Sequence, residues 1–559
     1  MLTVIQDALL HPFSDCAEDE RGAVYTRREV VEGILDLIGY TPNIDLAKRT
    51  LLEPCCGKGD FLIPAVERLL EAYRRGGGLL DEVVPALEGA ICAVEINAGS
   101  HASVLHRVVS FLVQHGVLET DAVTLSSTWL RKGDFLITAL PTGFDFVAGN
   151  PPYVRQERIP AELLAEYRRR FVTLYDRADL YVPFIERSLA LLGSGGRLGF
   201  ICSDRWMKNR YGGPLRDLVS RGFHLQSMLN VNEVPAFTRN VIAYPTIFVI
   251  ENAMHLAPTQ VARPPQTLAE LQKAVQAMTT GIAGVPPWFH ERRDLVSGSE
   301  PWLADCLAEV ALIRRLERDF PTLEESGCRV GIGVATGADR VFIDAYALLD
   351  VEDERKLPLV QTRDIRRGKI HSHGLGVVNP FEADGSVAEL DRYPRFQRWV
   401  KKHEPLLRRR NVAQRSGRAW YRTIDRIYPE LVGTPKLLIP DIKGDANVVY
   451  DEGHFYPHHN LYYVTSVTWN LHALQSVLRS PLVRFVIAAY SLKMQGGFLR
   501  FQAQYLRRLR LPPWESVPEA LQTQLTSAAL TQNWSDAEMA TNRLFKLTPE
   551  ELVTLKSIV

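Results

Sequence analysis

The chain alternates short apolar runs with longer stretches in which apolar residues recur every three or four positions. Apolar runs at 51–52, 90–96, 144–149, 198–202 and 246–250 are too short for helices and read as buried strands. Helical spacing marks residues 27–38, the stretch running to about 75, and 179–192, while 203–218 reads as a loop and helix. Thr26 stands as the N-cap of the first helix, with Glu29 three positions on as its capping-box partner. The glycine-bearing segment 193–197 reads as the cap that ends the third. Strands separated by such helices predict an α/β unit built on an open sheet. A proline-rich, polar stretch at 257–266 predicts a boundary. The expected division is therefore 1–255, a connection at 256–300, a second domain at 301–515 and a small helical tail at 516–559.

The 144–149 run ends abruptly in Asn150-Pro151-Pro152-Tyr153. Two prolines forbid both helix and a continuing central strand, so the loop is stiff. Open α/β sheets hold their ligands in such loops at the carboxyl ends of strands. A bare Asn-Pro-Pro is as well explained by a plain turn; the strand in front and Tyr153 behind favour a site. The loop suits methylation of a planar nitrogen. Such a nitrogen is a weak nucleophile because its lone pair is delocalised. Two acceptors, the Asn150 side-chain oxygen and the Pro151 carbonyl, can take both of its N–H bonds and aim the lone pair at an incoming methyl. Tyr153 offers a face for a flat substrate.

The run at 51–52 leads through Glu53-Pro54-Cys55-Cys56-Gly57-Lys58-Gly59 into a helix. Glycines let a ligand approach the backbone, and the helix N-terminus presents free N–H groups. No Gly-Lys-Ser/Thr follows, which argues against a nucleotide triphosphatase. Glu95 ends the 90–96 strand, where a carboxylate can accept from two ribose hydroxyls.

Lys+Arg and Asp+Glu balance at 65 each, so any nucleic-acid face must come from local clustering. One cluster exists: residues 361–430 carry 16 Lys/Arg against 8 Asp/Glu. Within it Arg408, Arg409, Arg410, Arg415, Arg418 and Arg422 interleave with Trp399, Trp420, Tyr421 and Tyr428, a pattern that suits phosphate contact and stacking as well as it suits a solvated face. The seven cysteines include no C-x-x-C pair, which gives neither a disulfide framework nor a zinc module. His458 and His459 read as hydrogen-bonding loop residues, and no metal site is expected. No apolar run of about 18 residues occurs, so a soluble cytoplasmic protein is expected.

The Asn-Pro-Pro-Tyr segment resembles motif IV of S-adenosylmethionine-dependent amino-methyltransferases. Residues 53–62 resemble their motif I, with Cys55 in place of a small Ala and Lys58 placing a charge near a cationic sulfonium. Gly22 to Thr26 resembles motif X; Glu95 with Ile96, motif II; Gly133-Asp134-Phe135, motif III; residues 179–202, motifs V and VI; and Val234 to Val241, motif VIII. This order is similar to the γ class of N6-adenine DNA methyltransferases. Segments at 330–337, 436–442 and 454–465 are similar to the specificity domain of Taq-type and Eco57I-type modification enzymes.

The resemblance implies a Rossmann-like methyltransferase domain (1–255) followed by an α+β DNA target-recognition domain (301–515). It implies S-adenosylmethionine held by Thr26, Glu53, Cys55, Gly57, Gly59, Glu95, Ile96, Asp134, Phe135, Asn150 and Pro152. Asn150, Pro151, Pro152, Tyr153 and Phe237 would hold a flipped adenine in double-stranded DNA, with Arg408, Arg409, Arg410, Arg415, Arg418, Trp420 and Arg422 on the duplex. The implied protein is a monomer paired functionally with a separate restriction endonuclease. Methylation of RNA or a protein glutamine, or a non-catalytic DNA-binding module, are the competing readings.

Overall fold

The computed structural model describes residues 24–238, 245–254, 257–262, 265–280, 289–303, 307–443, 447–491 and 499–556. Gly22, Ala23 and residues 239–241 of the expected motifs lie outside these, as do Cys16 and Cys306. The chain forms two compact units, Met1–Ala304 and Asp305–Val559.

The first unit is built on nine strands: β1 (Leu51–Glu53), β2 (Ile91–Glu95), β3 (Leu130–Lys132), β4 (Phe144–Gly149), β5 (Leu192–Ser203), β6 (His224–Asn230), β7 (Pro245–Glu251), β8 (Thr259–Ala262) and β9 (Phe289–Arg292). Their order across the sheet is β3-β2-β1-β4-β5-β7-β6-β8-β9. The five at the β3 end run parallel, and β7 enters antiparallel between β5 and β6. Each face carries its own core. Phe146 and Ala148 of β4 pack with helices Arg28–Ile38, Leu62–Arg75 and Ala98–Gln114, whereas Val147 between them packs with Tyr181–Leu191 and Gly213–Gly222. Alternating side chains of a strand covered on both sides must all be apolar, which is why these strands read as unbroken apolar runs.

Three expectations change in this unit. The 256–300 stretch is no linker: β8 pairs with β6, β9 with β8, and Val275 of helix Leu268–Thr280 contacts the first helix at Gly33. Thr259, Val261 and Ala262 are buried in the sheet despite the prolines around them. Residues 193–197 do not cap a helix but start β5, which begins at Leu192. Thr26 does not cap the first helix either, since Arg27 holds that position without a side-chain bond.

The second unit contains two four-stranded sheets. The first joins Cys328–Ile332, Leu461–Ser466, Lys436–Pro440 and Val449–Asp451, all antiparallel. Lys436 and Asp451 form a buried ion pair there at 2.8 Å. Helices Glu519–Leu530, Trp534–Leu544 and Pro549–Lys556 belong to this unit rather than to a separate tail: Ser476 Oγ donates to the Leu525 carbonyl, Phe320 meets Phe545 edge-on, and Arg315 pairs with Glu551. Among the described residues no helix is long and apolar enough to cross a membrane.

Gly199 fixes how closely the first helix approaches the sheet. A Cβ there would run into Ile38 Cγ2 and come within 3.0 Å of Ile34 Cγ2. Overpacking of this kind costs about 1–3 kcal/mol. Gly199→Val is expected to lower the urea midpoint accordingly; an unchanged midpoint would contradict the close packing.

Candidate active site

Four strand ends converge at the point where the sheet order reverses between β1 and β4. Glu53 ends β1, Glu95 ends β2, Asp134 follows β3, and Asn150 follows β4. Reversal leaves a crevice, because successive crossovers depart to opposite faces. Here it is a cleft of about 900 Å³, and every residue expected at the cofactor lines it except Gly59. Gly59 has φ +88 and a Cβ on it would lie 2.8 Å from Val104, so it shapes the turn from behind.

The floor is acidic. Glu53 is 2% exposed and its Oε2 has no partner among the described residues. Burial pushes its carboxyl well above the usual range, and Asp60 and Glu95 push it the same way. Glu95 accepts from the N–H groups of Gly57 (2.9 Å) and Asn97 (2.8 Å). Asp134 accepts from the Leu136 N–H at 2.8 Å and from the Tyr167 hydroxyl at 2.6 Å; burial raises its carboxyl, and those two bonds oppose the rise. An unpaired buried carboxylate facing a cleft calls for a cationic or hydrogen-bond-donating ligand. That chemistry fits an ammonium, a sulfonium and a ribose.

Asn150 is held by the opposite wall. Its Nδ2 donates to the Val24 carbonyl (2.9 Å) and to Thr26 Oγ1 (3.1 Å). Both amide hydrogens are thereby used, and Oδ1 is left buried with no partner among the described residues. The Thr26 hydroxyl, expected at a helix cap, serves this amide instead. Segment 25–27 is itself anchored across the sequence: Arg27 N–H donates to the Ala236 carbonyl, Thr238 N–H to the Tyr25 carbonyl, and Thr26 bridges Phe237. Phe237 thus arrives beside Tyr153, with ring centroids 6.3 Å apart and planes at 80°. Rings so inclined cannot both give a face to one flat group. One can offer its face and the other its edge.

The two departures from the motif I pattern acquire roles. The Cys55 thiol donates to the Asn150 main-chain carbonyl at 3.2 Å. The Lys58 ammonium lies 4.8 Å above the Tyr25 ring. Tyr167, Leu180 and Phe184 also line the cleft, and no motif marks Tyr167, which sits in a charged helix, Ala161–Arg170. Leu180 and Phe184 carried only the signal of core, four apart on an apolar stretch.

In the second unit the basic candidates divide. Arg410 Nη1 donates to the Thr336 carbonyl and Nη2 to that of Trp420, and burial lowers its pKa to about 10. Arg422 donates to the carbonyls of Thr423 and Ile424. Both guanidiniums therefore hydrogen-bond main-chain carbonyls of the fold. Arg408, Arg409 and Arg418 are exposed, Arg408 resting 4.2 Å above Trp420 and paired with Glu404. The Arg415 side chain lies outside the described residues. His458 is not without a partner: its Nε2 lies 3.1 Å from Asp339.

Comparison with known proteins accords with this geometry. A family model described as Eco57I restriction-modification methylase matches residues 114–237, and one described as TaqI-like C-terminal specificity domain matches 358–511. The chain is 51% identical over 541 residues to the type II methyltransferase M.XhoI of Xanthomonas vasicola, covering 95% of this chain and 98% of that one. It is 50% identical over 537 residues to M.PaeR7I of Pseudomonas aeruginosa, covering 95% and 93%. The fold is similar to that of the type IIL restriction-modification enzyme MmeI, at a TM-score of 0.58 and 12% identity over 100% of this chain and 73% of that one.

Glu53 generates a pH dependence. A carboxyl raised in the folded state binds its proton more tightly there than in the unfolded chain. Its contribution is fully present below the ordinary carboxyl pKa and is lost as pH rises through the raised value. Without ligand, the unfolding temperature of the wild type is therefore expected to fall, relative to Glu53→Gln, between pH 5 and pH 8. Parallel profiles from the two proteins would show that Glu53 is ionised in the free cleft.

Proposed function

The chain belongs to the type II methyltransferases of restriction–modification systems, and from that premise we propose that it methylates N6 of an adenine turned out of double-stranded DNA. The observation that carries this reading is the orphaned Asn150 Oδ1. S-adenosylmethionine is the methyl donor, and when bound it supplies an electrophilic methyl group on a sulfonium. Glu53 would face its cationic methionine end, Glu95 the ribose and Asp134 the adenine amine, with Phe135 and Ile96 against the ring.

The chain's own residues then act on the acceptor. Asn150 Oδ1 and the Pro151 carbonyl accept the two N–H bonds of the exocyclic amine, favouring the tetrahedral nitrogen whose lone pair points away from the ring. Pro152 stiffens the loop so that neither acceptor has to be reorganised. Tyr153 gives its face to the base and Phe237 its edge. Burial holds the Tyr153 phenol far above its usual pKa, so it serves as a neutral ring. Bringing the base out of the stack costs a few kcal/mol, offset in part by these contacts.

The second unit supplies target recognition in this reading, with Arg408, Arg409 and Arg418 on phosphates and Trp420 behind Arg408. The protein works in the cytoplasm as a monomer, protecting DNA from a separately encoded endonuclease.

Losing one preorganised transition-state hydrogen bond typically costs about 10²–10³ in turnover. Asn150→Ala is expected to lose that much while still binding the cofactor. The test is polymerase-kinetic sequencing of genomic DNA from a methylation-deficient host expressing each protein. One short motif carrying N6-methyladenine, absent with the variant, is expected; a cytosine product, or methylation confined to RNA, would overturn the reading. A second expectation concerns salt. Arg409→Ala and Arg418→Ala should each weaken duplex binding uniformly across sequences and reduce the slope of log K against log[salt] by about 1. Unchanged slopes would remove these residues from the interface.

A further inference from the structure

We propose that Asp339, His458 and His459 form a binding site for one divalent transition-metal ion of the zinc type. The inference concerns the second unit alone and does not depend on the methyl-transfer reading.

Three ligand atoms from two separate segments converge. Asp339 Oδ2 lies 3.1 Å from His458 Nε2, and His459 Nδ1 lies 3.0 Å from that same nitrogen. All three atoms fall within 4.8 Å of one another. Tetrahedral ligands at about 2.0–2.2 Å from a zinc ion stand roughly 3.3–3.6 Å apart. Adjustment by a few tenths of an ångström brings the two measured pairs there, and Asp339, at 48% side-chain exposure, can turn to close the set.

Counting protons points the same way. His458 Nε2 is the shared point and is 6% exposed as a residue. If it carries a hydrogen, that single hydrogen must be divided between the Asp339 carboxylate and the lone pair of His459. If it carries none, it can accept from His459 Nδ1–H, but its lone pair then faces the Asp339 carboxylate in a largely buried position. A cation at their centre satisfies all three atoms at once. Two imidazoles and one carboxylate suit zinc, cobalt or nickel rather than magnesium or calcium, which prefer all-oxygen sets. The exposed side at Asp339 gives the ion entry and room for a water as fourth ligand.

The site is assembled before any ion arrives. Val334 N–H donates to the Pro457 carbonyl and His459 N–H to the Val334 carbonyl, both at 3.0 Å. The Thr336 hydroxyl donates to Asp339 Oδ1, which leaves Oδ2 for the site. Bonds of that outer kind fix the orientation of a ligand and typically govern 10- to 100-fold in metal affinity. The Thr336 carbonyl in turn receives Arg410. An ion here would therefore brace the base of the segment that displays Arg408 and Arg409.

The test is titration of the full-length protein, freed of metal by a chelator, with Co²⁺ alone, followed by visible d–d absorption and then by displacement with Zn²⁺. One equivalent of Co²⁺ is expected to give the spectrum of a four-coordinate nitrogen–oxygen site. Asp339→Ala and His459→Ala should each weaken binding by at least about 100-fold, and Thr336→Val by about 10- to 100-fold. Circular dichroism in metal-free buffer establishes that the variants are folded. Should His459→Ala not fold, Asp339→Asn, at an exposed position, makes the same test. No saturable absorption, or binding that survives the Asp339 and His459 substitutions, would overturn the proposal and leave the three residues as a hydrogen-bonded triad.

Discussion

The arrangement of the cleft turns on one amide. Asn150 spends both hydrogens on Val24 and Thr26, so its oxygen has one possible direction. Were either partner missing, the amide could rotate and present nitrogen where an acceptor is required. The fold therefore protects an orientation as much as it protects a residue. The thiol of Cys55, bonded to the Asn150 carbonyl, fixes the same loop from the other side. A buried acceptor without a partner costs stability on the order of 1–3 kcal/mol, and the structure carries two such atoms in one cleft, Asn150 Oδ1 and Glu53 Oε2. In the proposed reading both costs are recovered when ligands arrive, which ties affinity to preorganisation.

The acidic floor follows the same logic. Burial, Asp60 and Glu95 raise the proton affinity of Glu53, and burial raises that of Asp60, an arrangement unfavourable in the free protein. A cation set among them reverses the sign. Sheet topology makes this possible, since parallel neighbours β1, β2 and β4 end on the same edge and deliver Glu53, Glu95 and Asn150 side by side.

Much of this was legible in the sequence, for identifiable reasons. Strands covered on both faces announce themselves as apolar runs, so β2, β4 and β7 stand out. Stiff or glycine-rich loops behind them mark the cleft. What stayed hidden depends on partners distant in the chain. Thr26 carries a helix-cap pattern, and only the return of Asn150 reveals its hydroxyl's use. Tyr167 reaches Asp134 from a helix with no motif. The 256–300 stretch looked like a connection because prolines outweighed the few apolar residues that place β8 beside β6. Arg410 and Arg422 look like their exposed neighbours in composition, and only folding separates a guanidinium that binds carbonyls from one that faces solvent.

The strap between segments 25–27 and 236–238 bears on biosynthesis. Arg27 Nε reaches the Phe237 carbonyl across 210 positions of sequence. Chain growth at about 5–20 residues per second separates the two strands of that strap by roughly 10–40 s. For roughly the last 4–17 s of that interval the nascent chain holds Asn150 and Glu53 but not the clasp that pairs with the Thr26 segment. Closing so long a loop is also slow, because its entropy must be lost before the contact repays it. The Asn150 amide is therefore set in place only once residue 236 has been made, and a ribosome that stops short of it leaves a sheet whose Asn150 oxygen is not aimed.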